Sequence, residues 1–302
     1  MEIEKTIAGN AVPKKQKTST SDKIMMFLVT LALAILFIPK SLTNKLDALN
    51  ADTSAVLVRF EGSFNDGGQI SAGKSVALLK SLCGKPTLKT LILQMRSGGG
   101  SAIEGERISD AIGQYCEKKH VITLVEDHCF SACYDVAANT DEIWSNRYAS
   151  VGSIGSMFYW ADYSVALERY GVKEIVIASG AAKGPTISRQ MPTQLQAADM
   201  QAAITSSGME FARIVRERRK GRITKEAPIE TGGIFSAQQA LKFGLIDDIK
   251  TIDQLRDMFG KDLTEIGSEA TGNPNSDDPR NRGEELFDLA MQKAREAIRG
   301  SR

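Results

Sequence analysis

The chain has 302 residues, 42% of them hydrophobic and 25% charged, with 38 basic against 37 acidic side chains and a formal net charge of +1. That apolar content excludes a disordered chain, and the balanced charge excludes the global basic footprint that holds proteins on nucleic acid. Four Cys are too few for a disulfide scaffold, and two His (His120 and His128) are too few for a histidine-rich metal site.

Residues 1–22 carry Lys5, Lys14, Lys15 and Lys17 and read as a cytoplasmic tail. Residues 24–39 (IMMFLVTLALAILFIP) are apolar on every side, with Thr30 the one polar residue and Lys23 and Lys40 at the ends. Extended to residues 23–42, with the lysines snorkelling, this stretch approaches the roughly 20 residues that cross a bilayer. Lysines are denser before it than after it, which orients the N-terminus inside. The expectation is a single-pass signal anchor in the cytoplasmic (inner) membrane, with the bulk of the chain extracytoplasmic. A cleaved signal peptide is the competing reading, but no small-x-small site comes after Pro39.

Residues 43–54 form a polar connector, and one α/β domain is expected over residues 55–262. Residues 55–60 (AVLVRF), 90–95 (TLILQM) and 121–125 (VITLV) read as buried strands. Between them, residues 75–82 and 103–115 have helical spacing, with Ile103, Ile108, Ala111, Ile112 and Tyr115 on one face. Strands alternating with helices predict βαβ units and a largely parallel sheet. Further on, the pattern predicts a helix ending near residues 168–170, a strand over 174–178 and a long helix over about 193–220. The cluster Arg213, Arg216, Arg218, Arg219, Lys220 and Arg222 at the end of that helix complements its dipole and reads as a solvated face. Residues 263–302 read as a polar linker and then a short amphipathic helix marked by Leu286, Ala290, Ala294 and Ala297.

Three segments carry candidate chemistry. Residues 96–101 (RSGGGS) sit between a strand and a helix, where glycines let backbone amides face a ligand. No Lys-Ser/Thr comes next, as a phosphate-binding loop of Walker type demands. Residues 127–138 (DHCFSACYDVAA) come after the third strand and place Ser131 where a nucleophile sits at a strand-to-helix elbow. Taken alone, Ser131 reads equally as a helix N-cap. The third segment is SVGSIGS at residues 150–156, with AAKGPT at residues 181–186 beyond it.

In order and spacing these segments resemble the signal peptide peptidase A family, serine peptidases of the ClpP/crotonase-like fold with repeated β-β-α units. LILQMRSGGGS resembles the family's strand ending in Asn-Ser-Pro-Gly-Gly, with Arg96 and Gly98 as departures. VGSIGS is close to Thr-Gly-Ser-Ile-Gly, AAKGPT resembles the stretch around the catalytic lysine, and residues 233–249 (GIFSAQQALKFGLIDDI) resemble the closing signature. The resemblance covers about residues 53–256. Carried over, it implies Ser131 as nucleophile, Lys183 as general base, and Ser153 as the serine that orients the lysine amine. It implies Gly100 and Ala132 as the amide donors of an oxyanion hole, although Ala132 stands where the family more usually has Gly, with Gly99 and Ser101 beside the substrate. A lysine acts as base only when neutral, which burial favours, and the immediate neighbours of Lys183 bring no carboxylate. His128, three residues before Ser131, is the rival base and reads as a polar turn residue; His120 reads as a surface loop residue.

Cys129 and Cys133 flank Ser131 and read as buried free thiols packed around the site. A Cys129–Cys133 or a Cys83–Cys116 disulfide is the alternative in an oxidising compartment. The resemblance implies a membrane-anchored endopeptidase without cofactor or metal. Its partners are signal-peptide remnants or other extended peptides, the lipid bilayer through the N-terminal helix, and further copies of the chain in a ring with shared sites. A non-catalytic membrane scaffold and a crotonase-like acyl-thioester enzyme are the other readings.

Overall fold

A computed structural model describes residues 53–184 and 190–273. The expected tail, anchor and C-terminal helix lie outside the described residues. Among the described residues, no helix is long and apolar enough to cross a membrane.

The chain runs in the order β1 (Ala55–Glu61), α1 (Ala72–Cys83), β2 (Thr90–Ser97), α2 (Ala102–Tyr115), β3 (His120–Phe130), α3 (Ala132–Ala138), β4 (Glu142–Ser145) and β5 (Ser150–Gly152). Then come α4 (Ser164–Arg169), α5 (Gln194–Arg218), β6 (Ile234–Ser236), α6 (Ala237–Phe243), β7 (Asp248–Ile249), α7 (Ile252–Phe259) and β8 (Leu263–Ile266). The strands lie in the order β6-β5-β3-β2-β1-β8, with β4 beside β3 and β7 beside β4. Every pairing is parallel except β5 with β6. The mixed α/β architecture and the first three strands are as the sequence predicts.

Both faces of the sheet are apolar, as parallel sheets covered on two sides require. Val56, Val58, Leu91, Leu93 and Val121 face the main core with Leu79, Ile108 and Val136, which come from helices. Ala55, Leu57, Ile92, Ile122 and Leu124 face the other way and are covered by Leu255 of α7.

Strand β3 serves two partners. Its first half pairs with β4 from Ile122 to Val125, and its last three residues, His128 to Phe130, pair with β5. Between them the register with β2 shifts, from Met95 opposite Val125 to Ser97 opposite Cys129. Such a bulge bends a strand and re-aims the residues at its far end. At the far end of β3 stands Ser131.

Several expectations need correction. No strand forms over residues 174–178; the segment is irregular and exposed at Ile175, Val176 and Ile177. The sheet does not end at residue 262, because β8 pairs with β1 and the Ser75 hydroxyl donates to the Thr271 carbonyl at 3.1 Å. The basic cluster at the end of α5 is a solvated face at Arg213, Lys220 and Arg222, which are exposed, but not at Arg216, Arg218 and Arg219. Arg219 is 0% exposed and donates to both carboxylate oxygens of Asp247 at 2.9 Å, while Arg218 pairs with Asp135 at 2.8 Å and Arg216 with Glu230 at 2.7 Å. The four cysteines are not free: Cys83 bonds Cys116 and Cys129 bonds Cys133. Each pair lies with its Cα atoms just over 5 Å apart, within the range a disulfide spans.

Candidate active site

Ser131 stands between β3 and α3 at φ 52° and ψ −123°, and its side chain makes no capping hydrogen bond. The N-cap reading therefore fails: a capping serine is extended and its oxygen accepts from the first turn. A side chain at positive φ is held there by its surroundings at a cost, and such strain collects at functional turns. Two contacts hold it. The Ser131 amide donates to the Gly152 carbonyl at 2.9 Å, and the Asp135 amide donates to the Ser131 carbonyl at 3.1 Å as α3 begins.

The glycine loop closes over this turn. Gly99 has φ 93°, and a Cβ there would stand 2.7 Å from both the Phe130 carbonyl oxygen and the Ser131 Cβ. Only glycine lets the loop come this close. Gly100 is flanked by two bonds to Phe64, one from the Phe64 amide to the Gly99 carbonyl at 2.9 Å and one from the Ser101 amide to the Phe64 carbonyl at 2.8 Å. In that strand-like pattern the Gly100 amide points away from Phe64. Ala132 is the first residue of α3, and a first-turn amide has no partner within its own helix. The Ala132 amide therefore stands free of its own helix, next to Ser131 and under the Gly99 loop, where a Cβ on Gly99 would lie 3.2 Å from the Ala132 nitrogen. Ser101 uses its hydroxyl oxygen to accept from the Glu104 amide at 3.4 Å, capping α2.

Ser153 comes directly after Gly152, the residue that holds the Ser131 amide, and like Ser131 it has a positive φ, at 50°. Its amide donates to the Gly233 carbonyl at 2.7 Å. The fold therefore gathers Gly99, Gly100, Ser131, Ala132 and Ser153.

It does not bring Lys183 to them. Lys183 is exposed, in a loop that lines an open hollow of about 440 Å³ with Val176, Met191 and Gln196. No hydrogen bond or ion pair links its ammonium to Ser131 or Ser153 among the described residues. The expected burial of this amine is absent within a single chain. Around it the segment exposes large apolar side chains: Met157, Tyr159, Ile175 and Ile177 are each more than three-quarters exposed.

The rival base is also turned elsewhere. His128 Nδ1 lies 3.0 Å from Asp127 Oδ2, and the ring stacks obliquely on Phe130 at 5.3 Å. Arg96 joins the same rim through Glu61 at 3.2 Å and Asp127 at 3.7 Å. His120 contacts Glu142 at 3.1 Å at the start of β3, on the surface but in a strand. Among the described residues, no group of three or more His, Cys, Asp or Glu is arranged to hold a metal ion.

Sequence reasoning passed over three contributors. Phe64 sets the Gly100 orientation through its backbone, and the signal available was the glycine-rich turn EGSFNDGG after β1. Gly105 of α2 lets Ala132 approach, since a Cβ there would meet the Ala132 Cβ at 3.0 Å. Asp135 on α3 is braced by Arg218 of α5. Burial pushes the Asp135 carboxyl above its ordinary range, against the opposing pull of Arg218.

Residues 114–264 match the family model described as peptidase family S49. The chain is 27% identical over 201 residues to a candidate protease of Methanocaldococcus jannaschii, covering 64% of this chain and 65% of that protein. It is 24% identical over 185 residues to a candidate signal peptide peptidase SppA of Enterococcus faecium, covering 61% of this chain and 54% of that one. A candidate protease of Synechocystis is 29% identical over 192 residues, with 63% and 69% covered. The chain thus spans less than two thirds of the first two relatives.

Proposed function

Since the chain belongs to peptidase family S49, we propose that it is a membrane-anchored serine endopeptidase built on a ClpP-like domain, with Ser131 as nucleophile and Lys183 as general base. The observation that carries the reading is the Ser131 turn: a hydroxyl at positive φ, uncommitted to capping, at the first turn of α3 and under the Gly99 loop. In this mechanism the neutral Lys183 amine takes the Ser131 proton as Oγ attacks a peptide carbonyl. The Gly100 and Ala132 amides stabilise the oxyanion, the lysine returns the proton to the leaving amine, and water hydrolyses the acyl-enzyme. Ser153 orients the amine. Only a neutral amine accepts a proton, so turnover rises with pH.

Lys183 is exposed in one chain, amid large exposed apolar side chains, and this supports a homo-oligomeric ring in which the lysine of one subunit serves the serine of the next. Burial against the neighbour would then supply the desolvation that a basic lysine needs. Substrates are extended peptides near the membrane, signal-peptide remnants among them, held by backbone pairing with a strand edge.

The test is a fluorophosphonate probe with peptide mapping. Labelling at Ser131, lost in both Ser131→Ala and Lys183→Ala but kept in His128→Ala, is the expected outcome. Loss in His128→Ala with retention in Lys183→Ala replaces the Ser–Lys reading with a Ser–His one. No labelling at all favours the scaffold or acyl-thioester readings.

A further inference from the structure

The proposed chemistry makes no use of the disulfide that brackets Ser131. Cys129 and Cys133 enclose only Phe130, Ser131 and Ala132, and both cysteines are 0% exposed. Cys129 is fixed from two sides, opposite Ser97 of β2 and Val151 of β5. Cys133 lies in the first turn of α3. The bond therefore joins sheet to helix directly, across the one residue between them that stands at positive φ.

We propose that Cys129 and Cys133 are positioning residues for Ser131. Their disulfide holds the strand-to-helix turn so that the Ser131 hydroxyl and the Ala132 amide face the same point, and turnover depends on this bond being intact. The inference rests on the reading of Ser131 as nucleophile.

Three observations carry it. A residue with a Cβ keeps a positive φ only where its surroundings over-determine it. On the sheet side Ser131 has the Gly152 carbonyl and the wall formed by Gly99; on the helix side it has α3, seven residues long, whose other ties come from beyond Cys133, where the Tyr134 hydroxyl donates to the Leu245 carbonyl at 2.7 Å and Arg218 pairs with Asp135. A helix that short is marginal without tertiary ties, and the disulfide is a covalent one at its first turn. The bond is also a poor global staple. The constraint a disulfide puts on the unfolded chain grows with the loop it closes, and here the separation is 4 residues against 33 for Cys83–Cys116. Its place in the structure, more than its loop, is what distinguishes it. Full burial also shields it, so a thiol reductant reaches it only when the turn opens.

The redox step is a two-electron exchange. A dithiol such as dithiothreitol breaks the S–S bond, leaves Cys129 and Cys133 as thiols and becomes a cyclic disulfide. Glutathione disulfide reverses the change, ending as two glutathione thiols.

The experiment compares wild type, Cys129→Ala/Cys133→Ala and Cys83→Ala/Cys116→Ala as full chains, by peptide turnover, fluorophosphonate labelling rate and thermal melting. Loss of the Cys129–Cys133 bond is expected to lower kcat and the labelling rate about tenfold or more, with KM within about twofold. Loss of the Cys83–Cys116 bond is expected to lower the melting temperature more and kcat less. Reduced wild type should lose at least the same kcat and regain it on reoxidation, whereas reductant should cost Cys129→Ala/Cys133→Ala, which keeps the Cys83–Cys116 bond, no more kcat than Cys83→Ala/Cys116→Ala loses. Retention of kcat within about twofold in the Cys129→Ala/Cys133→Ala variant overturns the proposal, as does a loss in both variants that simply tracks melting temperature. If the variant does not fold, reduced wild type with four titratable thiols and unchanged kcat overturns it equally. Failure of the underlying reading looks different: oxidised wild type then cleaves peptide with no label on Ser131, and the positioning role falls with it.

Discussion

At the scale of the residue, the positive φ of Ser131 is a measurable burden as well as a signature. A side chain in that region costs about 1–3 kcal/mol, whereas glycine occupies it with little penalty. Ser131→Ala and Ser131→Gly are both expected to be inactive, yet the glycine variant should be the more stable by about 1 kcal/mol in urea unfolding. Equal stabilities would mean that the turn is unstrained and that its dihedral carries no functional message. Gly99 makes the complementary case. A Cβ there would meet the Phe130 carbonyl oxygen and the Ser131 Cβ, both 2.7 Å away, so Gly99→Ala should lose turnover by displacing the Ser131 turn. Near wild-type kcat in that variant would show that the loop can yield without disturbing the serine.

At the scale of the element, α5 is tied to the body through the arginines at its end. Arg219 is fully buried on Asp247, whose carboxylate also accepts from the Ile143 amide at 2.7 Å. Burial raises the Asp247 carboxyl, but the Arg219 bonds, the Ile143 amide and the nearby positive charges outweigh it and hold it below its ordinary range. A lowered carboxyl stabilises the fold above its unfolded pKa, about 4, and that contribution is lost as pH falls through the folded value. Asp247→Asn should therefore cost about 3 kcal/mol at pH 7, because Arg219 is left buried without its counter-charge. The difference from wild type should shrink at pH 3; a constant difference would assign the loss to packing. Asp135 has the opposite sign, its carboxyl being raised by burial, so Asp135→Asn should cost less.

The same helix marks where sequence reading succeeds and where it stops. β1, β2 and β3 were legible because their apolar runs are short and continuous, and α2 because Ile108, Ala111 and Ile112 share one face. The burial of Arg219 was not legible, because charge at a helix end fits the dipole and an ion pair equally, and sequence does not show that Asp247, beyond α6, faces it. Residues 174–178 have the composition of a strand but find no sheet edge. Ser131, Ser153, Gly99, Gly100 and Ala132 could be placed from motif order, since one strand-to-helix turn and its neighbouring loops carry them. Where Lys183 goes depends on surfaces of the folded chain that local sequence does not encode.

At the scale of the whole molecule, Lys183, the proposed base, is exposed in one chain, and the proposed ring would cover it with a second copy. Mixed oligomers of Ser131→Ala and Lys183→Ala subunits are expected to regain part of the peptidase activity, because some junctions join an intact serine to an intact lysine. Mixed oligomers with no activity would mean that each subunit completes its own site. The order of the strands has a consequence of another kind, for how the protein is made. β1 lies between β2 and β8, so the first strand among the described residues finds its second neighbour only after almost all the remaining described chain has been synthesised. Until Leu263–Ile266 arrives, β1 offers an unpaired, apolar edge to any other extended chain nearby. A nascent or truncated product that stops short of residue 263 is thus expected to bind chaperones or seed aggregation, however complete its Ser131 turn.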